Sequence, residues 1–261
     1  MASRKEQKEQ LRAERLRREA EEQAQARRRR LIQYGAGAAL LAVIVVVVAI
    51  VVSQSGSGGS GAGAGGDVVD ASLVSKQVQG IPQAGTVLGD SKSGLTVIEY
   101  GDLQCPVCKA FSFQVAPDVI SKLVRPGTAD YEFRQWPIIG NPPFEQSTTA
   151  AKAALAAGEQ GRYWNFVELF YRNQGAEDSG YVTDSFLTSI AKAAGVKDIE
   201  KWNSDRRSSK WDAVLAKNNA EAQNLGFTGT PSLLVQGPGG RKTFATIPTL
   251  SQIQAAVAAV R

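Results

Sequence analysis

The chain has two cysteines, Cys105 and Cys108, on either side of a Pro-Val dipeptide in the stretch Asp102-Leu-Gln-Cys-Pro-Val-Cys-Lys-Ala-Phe-Ser-Phe-Gln114. Before them, Leu95-Thr-Val-Ile-Glu-Tyr100 is β-branched and mostly apolar, the pattern of a strand buried on both faces. After them, Phe111, Val115 and Ile120 suggest a helix. Cys105 is therefore expected where a strand turns into a helix. There the first-turn N–H groups have no intrahelical partners and the dipole is positive, which favours a thiolate over a thiol. Pro106 suits the first helical position, where its missing N–H would have had no partner. An offset of three residues puts both sulfurs on one helix face, with Cys105 at the exposed start and Cys108 one turn inside. Such a dithiol is suited to opening and closing. As a structural staple it would achieve little, because stabilisation by a disulfide grows with the loop it closes and this loop is minimal. A zinc centre needs about four ligands, and one Cys pair with no histidine does not supply them. The sequence indicates neither a metal nor an organic cofactor.

The segments that must position this pair differ sharply in composition. The net charge of +5 belongs to the first 30 residues, which hold eleven Lys or Arg and six Glu, whereas the remainder has nineteen of each sign. No nucleic-acid surface is therefore expected on the folded part. Residues 31–52 carry no charge, and Leu41 to Val52 is almost wholly aliphatic. At about 1.5 Å per residue they would span roughly 33 Å, enough for a bilayer core of about 30 Å. Arg27 to Arg30 stand just before this stretch and no basic residue follows until Lys76. The positive-inside bias then leaves the N-terminal tail in the cytoplasm and the bulk of the chain outside. A cleaved signal peptide is the competing reading, with small residues at Ser53-Gln-Ser55. Signal h-regions are usually shorter, about 7 to 15 residues, which favours an anchor. Residues 53–66 are almost entirely Gly, Ser and Ala and read as a flexible tether of about 20 Å.

Beyond the tether, residues 67–83 give mixed signals, so residues 53–84 are read together as linker and lead-in. Thr86 to Leu88 is a short strand candidate, followed by a turn at Gly89 to Gly94. The cysteine helix should be interrupted at Pro117 and end near Pro126-Gly127. Tyr131-Glu-Phe-Arg-Gln-Trp136 alternates, as a further strand would. Strand, helix, strand implies a right-handed parallel crossover. A helical pattern follows over about residues 143–226, in runs at Ser147 to Ala157, Tyr163 to Arg172, Asp184 to Ala194 and Asp205 to Leu225. Its aromatic residues are expected to pack a helical subdomain. Strand signals return at Ser232 to Val235 and Lys242 to Ala245 around the turn Gly237-Pro-Gly-Gly240, and a helix at Leu250 to Val260 closes the chain. Residues 85–261 thus read as one α/β domain with inserted helices.

Three stretches make this domain resemble a DsbA-type member of the thioredoxin superfamily: Gly101-Asp-Leu-Gln-Cys-Pro-Val-Cys-Lys-Ala-Phe111, Gln160-Gly-Arg-Tyr-Trp164, and Gly229-Thr-Pro-Ser232 before a strand. The resemblance covers about residues 85–261 and implies a thioredoxin fold with a helical insertion. By the same resemblance Cys105 is the attacking thiol and Cys108 the resolving one. Pro231 matches the family's cis-proline, and with Thr230 it would present backbone to an extended substrate chain. Glu99 lies six residues before Cys105, where the family places a buried acid near the resolving sulfur. Such an acid would have a raised pKa and could relay a proton through bound water. Val107 departs from the His that many relatives carry between the cysteines, which removes a local cation.

The function expected is an extracytoplasmic thiol:disulfide oxidoreductase, held in the cell membrane by one helix, that forms or exchanges disulfides in secreted and membrane proteins. Its partners would be protein thiols and disulfides, together with a membrane redox partner that the family suggests is quinone-linked. A non-catalytic binding or sensor ectodomain and a thiol reductase are the rival readings.

Overall fold

The structure, a computed structural model, describes residues 67–90, 92–140 and 145–261. The expected tail, membrane helix and Gly/Ser tether lie outside the described residues. Among the described residues, no helix is long and apolar enough to cross a membrane.

A lead-in helix α1 (Ala71–Val78) precedes two short strands, β1 (Gln83–Ala84) and β2 (Val87–Leu88). Strand β3 (Thr96–Gly101) then feeds α2 (Pro106–Gln114), a short α3 (Ala116–Val119) and a single π turn over residues 120–124, and β4 (Asp130–Gln135) follows. The insertion consists of α4 (Gln146–Gly158), α5 (Tyr163–Arg172), α6 (Asp184–Ala193), α7 (Ile199–Asp205) and α8 (Lys210–Asn224). The chain ends with β5 (Ser232–Gly237), β6 (Gly240–Phe244) and α9 (Leu250–Ala259). The strands form one sheet in the order β1-β2-β4-β3-β5-β6. β3 and β4 are parallel and every other pairing is antiparallel.

The β-branched run before the cysteines becomes a central strand because both of its faces are covered: Val97, Ile98, Glu99 and Tyr100 are all buried. The register sets Glu99 opposite Phe133 of β4 and Leu233 of β5. Pro117, which has no N–H to donate, stands where α2 gives way to α3.

Through α5 the insertion covers one face of the sheet, while Ala222 of α8 joins Ile98, Tyr100 and Leu234 on the other. In α4 the alanines 150, 151, 153, 154, 156 and 157 are all buried, and their small size allows α5 and α7 to pack closely on either side. Every residue of α5 from Tyr163 to Tyr171 is buried, so this helix is enclosed on all sides. Toward the sheet, Trp164 meets Tyr131 at 4.6 Å and Tyr171 meets Phe133 at 6.2 Å between ring centroids. Toward the other helices, Phe166 meets Trp202 at 6.2 Å and Phe170 meets Phe186 at 5.3 Å. Each such side chain contributes about 1.5 to 3 kcal/mol by leaving water.

The lead-in is more ordered than its sequence suggests. Helix α1 buries Val74 and Val78 and packs against α5, and β1 extends the sheet by pairing with β2.

Candidate active site

At the C-terminal end of β3 the chain turns through Asp102, Leu103 and Gln104 into α2, whose N-cap is Cys105 and whose first residue is Pro106. The turn is held from several sides. The buried Asp102 carboxylate accepts hydrogen bonds from Gln104 N at 2.8 Å and Ser147 Oγ at 2.6 Å on one oxygen. On the other it accepts from the N–H groups of Ile138 and Ile139, at 2.8 and 2.9 Å. Burial still raises its pKa, and those four donors oppose the rise. From the insertion, Tyr171 donates its hydroxyl to the Asp102 carbonyl at 3.2 Å. Gln174 donates its amide to the carbonyls of Leu103 and Cys105, at 2.7 and 3.2 Å. Gly101, just before the turn, has no room for a side chain: an added Cβ would lie 2.5 Å from the Phe133 ring.

Both cysteines are free thiols, and their environments are opposite. A hydrogen bond from Cys108 is the largest cause lowering the Cys105 pKa, to about 7, against the upward push of burial. Hydrogen bonding from the Thr230 side chain and the backbone N–H groups of Cys108 and Val107 assists it. Burial pushes the Cys108 thiol well above its usual value, and its interactions with Cys105 and Glu99 add to the rise. Cys105 is less exposed than its place at a helix start suggests, at 6% against 0% for Cys108. The loop before β5 lies over it, with the Thr230 carbonyl 3.6 Å from its Sγ. The Thr230–Pro231 peptide bond is cis, as expected for this position.

Glu99 is buried in the central strand. The Tyr131 hydroxyl donates a short hydrogen bond to its Oε2, while its Oε1 has no hydrogen-bond partner. Burial pushes its pKa up to about 8; the Tyr131 hydrogen bond lowers it, and the charges of Glu168 and Cys105 raise it. At neutral pH the side chain is therefore mostly a carboxylic acid in electrostatic contact with both sulfurs. The structure brings Cys105, Cys108, Glu99, Thr230 and Pro231 into one site. Sequence reasoning missed Tyr131, Asp102, Tyr171 and Gln174. Tyr131 stands on the inward face of an alternating strand, the one trace of its position that the sequence carried.

A thiol poised to ionise beside one that is not, with a carboxylic acid between interior and sulfurs, can exchange disulfides asymmetrically: the first sulfur attacks or leaves, and the second closes or opens the pair.

The thioredoxin family profile matches residues 83–258. A probable disulfide bond formation protein D of Bacillus cereus is 28% identical over 151 residues, which are 58% of this chain and 69% of that protein. The crystal structure of a thioredoxin-like oxidoreductase from Silicibacter pomeroyi is 32% identical, with a TM-score of 0.53 over 66% of this chain and 89% of that one. Oxidised BdbD from Bacillus subtilis is 22% identical with a TM-score of 0.58, over 69% and 95% of the two chains, and shares the fold. With this fold, this dithiol turn and these relatives, the chain belongs to the thioredoxin family and is a thiol:disulfide oxidoreductase.

Proposed function

We propose that the protein forms or exchanges disulfides in secreted and membrane proteins outside the cytoplasm, held at the cell membrane by residues 31–52. The observation that carries the chemistry is the placement of the two thiols: Cys105 caps α2 beside the Thr230 carbonyl, whereas Cys108 is wholly buried one turn inside, which favours the thiolate at the first and opposes it at the second. In the oxidised enzyme a substrate thiolate attacks the Cys105 sulfur, and Cys108 departs with the electrons of the broken S–S bond and takes a proton from Glu99. A second substrate thiolate then attacks the substrate sulfur of the mixed disulfide and Cys105 leaves as thiolate. The substrate dithiol is oxidised and the enzyme dithiol is formed. Thr230 and Pro231 would supply the backbone against which the substrate chain lies, beside the sulfur they cover.

A stabilised Cys105 thiolate stabilises the reduced enzyme and makes the disulfide more oxidising. With Val107 in place of a cation the effect is intermediate. The expected potential lies between about −270 mV and about −120 mV, which fits an oxidase or isomerase better than a reductase. A membrane redox partner that reoxidises the pair completes the reading; the uncharged stretch after Arg27 to Arg30 supports the anchored, outward orientation.

The test is oxidation of a reduced, unfolded protein by the purified oxidised enzyme, with Cys105→Ser alongside. Loss of oxidation in the variant is expected. Failure of the wild type to oxidise the substrate, with a potential at or below that of thioredoxin, overturns the direction. For the location, protease added to protoplasts should digest the Cys105 domain, and protection of that domain refutes the topology.

A further inference from the structure

A second buried acid, Glu168, takes no part in the exchange described above. It is 1% exposed. On α5 it lies four residues after Trp164 and three before Tyr171, so the three share a helix face. Those two rings rest on Tyr131 and Phe133 of β4. Glu99, on the neighbouring strand, is paired in register with Phe133 and holds the Tyr131 hydroxyl. The two carboxyls therefore border one apolar compartment. Glu168 also reaches the cysteine helix: Ser112, one turn beyond Cys108, donates to its Oε2 at 3.1 Å, and Gln77 of α1 donates at 3.5 Å.

We propose that Glu168 is a positioning residue for proton transfer at Cys108: coupled to Glu99 across the β4 aromatic layer, its charge sets the pH at which Glu99 takes up the Cys108 proton. The proposal rests on the reading of Glu99 as the proton carrier. Two carboxyls in one low-dielectric compartment do not ionise independently, since the first to lose its proton makes the second harder to ionise. The partners decide the order. Glu168 has the cation Arg172 one turn along its own helix and donors in Ser112 and Gln77, all of which favour its charged form. Glu99 has one donor, Tyr131, and an oxygen with no partner. Burial raises both, Glu168 to about 7 and Glu99 to about 8, and the Glu168 charge is among the causes of the higher value. The groups facing the pair are Tyr131 from β4, Ser112 and Cys108 from α2 with Cys105 at its cap, Gln77 from α1, and Arg172 and Tyr171 from α5. Of these, Arg172 alone carries a permanent charge.

When the mixed disulfide on Cys105 is resolved, the Cys108 proton passes to the Glu99 carboxylate. The Cys108 sulfur bonds to that of Cys105, and the partner leaves as a thiolate with the electrons of the old S–S bond. Ionised Glu168 holds the proton on Glu99 to higher pH, so resolution turns on later than Glu99 alone would allow.

The experiment uses the full chain in detergent, loaded with thionitrobenzoate on Cys105, and follows its release against pH. Alkylation of Cys105 serves as control. Glu168→Gln is expected to move the midpoint of resolution down by about half to one pH unit while the alkylation midpoint stays in place. Glu99→Gln is expected to remove that titration. If Glu99→Gln abolishes it and Glu168→Gln leaves the midpoint unmoved, the coupling is refuted and the proton-carrier reading stands. If Glu99→Gln leaves the profile unchanged, that reading falls and the coupling with it. Should Glu168→Gln not fold, the side-chain carboxyl resonances of ¹³C-labelled glutamate in the reduced wild type decide the matter. Mutually dependent titration of Glu99 and Glu168 supports the coupling, and independent single-site curves overturn it.

Discussion

Adjacent residues of β3 send side chains to opposite faces of the sheet, and the two faces handle charge differently. On one face, Glu99 is enclosed with a single hydroxyl partner and one oxygen bonded to nothing. On the other, the Tyr100 hydroxyl accepts a hydrogen bond from Arg134 at 2.9 Å, and Arg134 also engages Glu132 at 2.9 Å and Glu221 at 2.6 Å. Those three charged side chains remain partly exposed, and each has an opposite partner. A paired charge at the edge of a core is compatible with nothing more than holding α8 on the sheet. A carboxyl buried with too few partners costs stability and stays protonated near neutral pH, which is what a proton carrier requires. Incomplete satisfaction therefore separates Glu99 on β3, the acid proposed as proton carrier, from the paired acids Glu132 on β4 and Glu221 on α8.

This contrast can be broken most severely at the sulfurs it serves. Cys108→Ser is expected to abolish resolution, so that the mixed disulfide on Cys105 accumulates and is visible by non-reducing electrophoresis with a thiol substrate. Next in size, Glu99→Gln should slow Cys108-dependent resolution by on the order of 10²-fold at neutral pH, the usual share of a positioned acid or base, measured by single-turnover release of a thiol from Cys105. Tyr131→Phe removes the one hydrogen bond that lowers the Glu99 pKa, so the midpoint of the same profile should move to higher pH. On the opposite face, Arg134→Ala should leave exchange rates unchanged and cost about 1 kcal/mol in denaturant unfolding, because its ion pairs are partly solvated. A further effect is on the pH dependence of stability. Glu99 has a folded pKa raised above its unfolded value, so its contribution is fully present below about pH 4.5 and is lost as pH rises toward about 8. The reduced protein should lose stability from about pH 5 to about pH 7, and Glu99→Gln should flatten that slope in denaturant titrations. This window lies below the range in which Cys105, with a depressed pKa, contributes the opposite sign.

Elements that bury a continuous apolar surface were legible in the sequence. Val97, Ile98 and Tyr100 announced β3, the proline at the first helical position announced α2, and the aromatic run Tyr163 to Arg172 coincides with α5. Helix α1 was not legible, since two valines are its only buried residues and Asp70 at its start makes no side-chain cap. Within the site, the cysteines, Glu99 and Pro231 announced themselves by spacing or by likeness to a family. Tyr131 could not be assigned to Glu99, because the hydrogen bond depends on how β3 and β4 are registered, which neither strand encodes alone. Gln174 and Asp102 were hidden for the same reason: their importance lies in partners 36 to 71 residues away.

The distances along the chain between the cysteine turn and its clamps also bear on biosynthesis. The Gln174 amide that holds the Cys105 carbonyl comes 69 residues after it, and the Thr230 carbonyl beside the sulfur comes 125 residues after it. A nascent chain that has released the Cys-Pro-Val-Cys segment but not yet these residues lacks both of these contacts to the cysteine turn. The cysteine turn is therefore clamped from both sides only after residue 230 has been made, so the geometry of the site is completed late in synthesis.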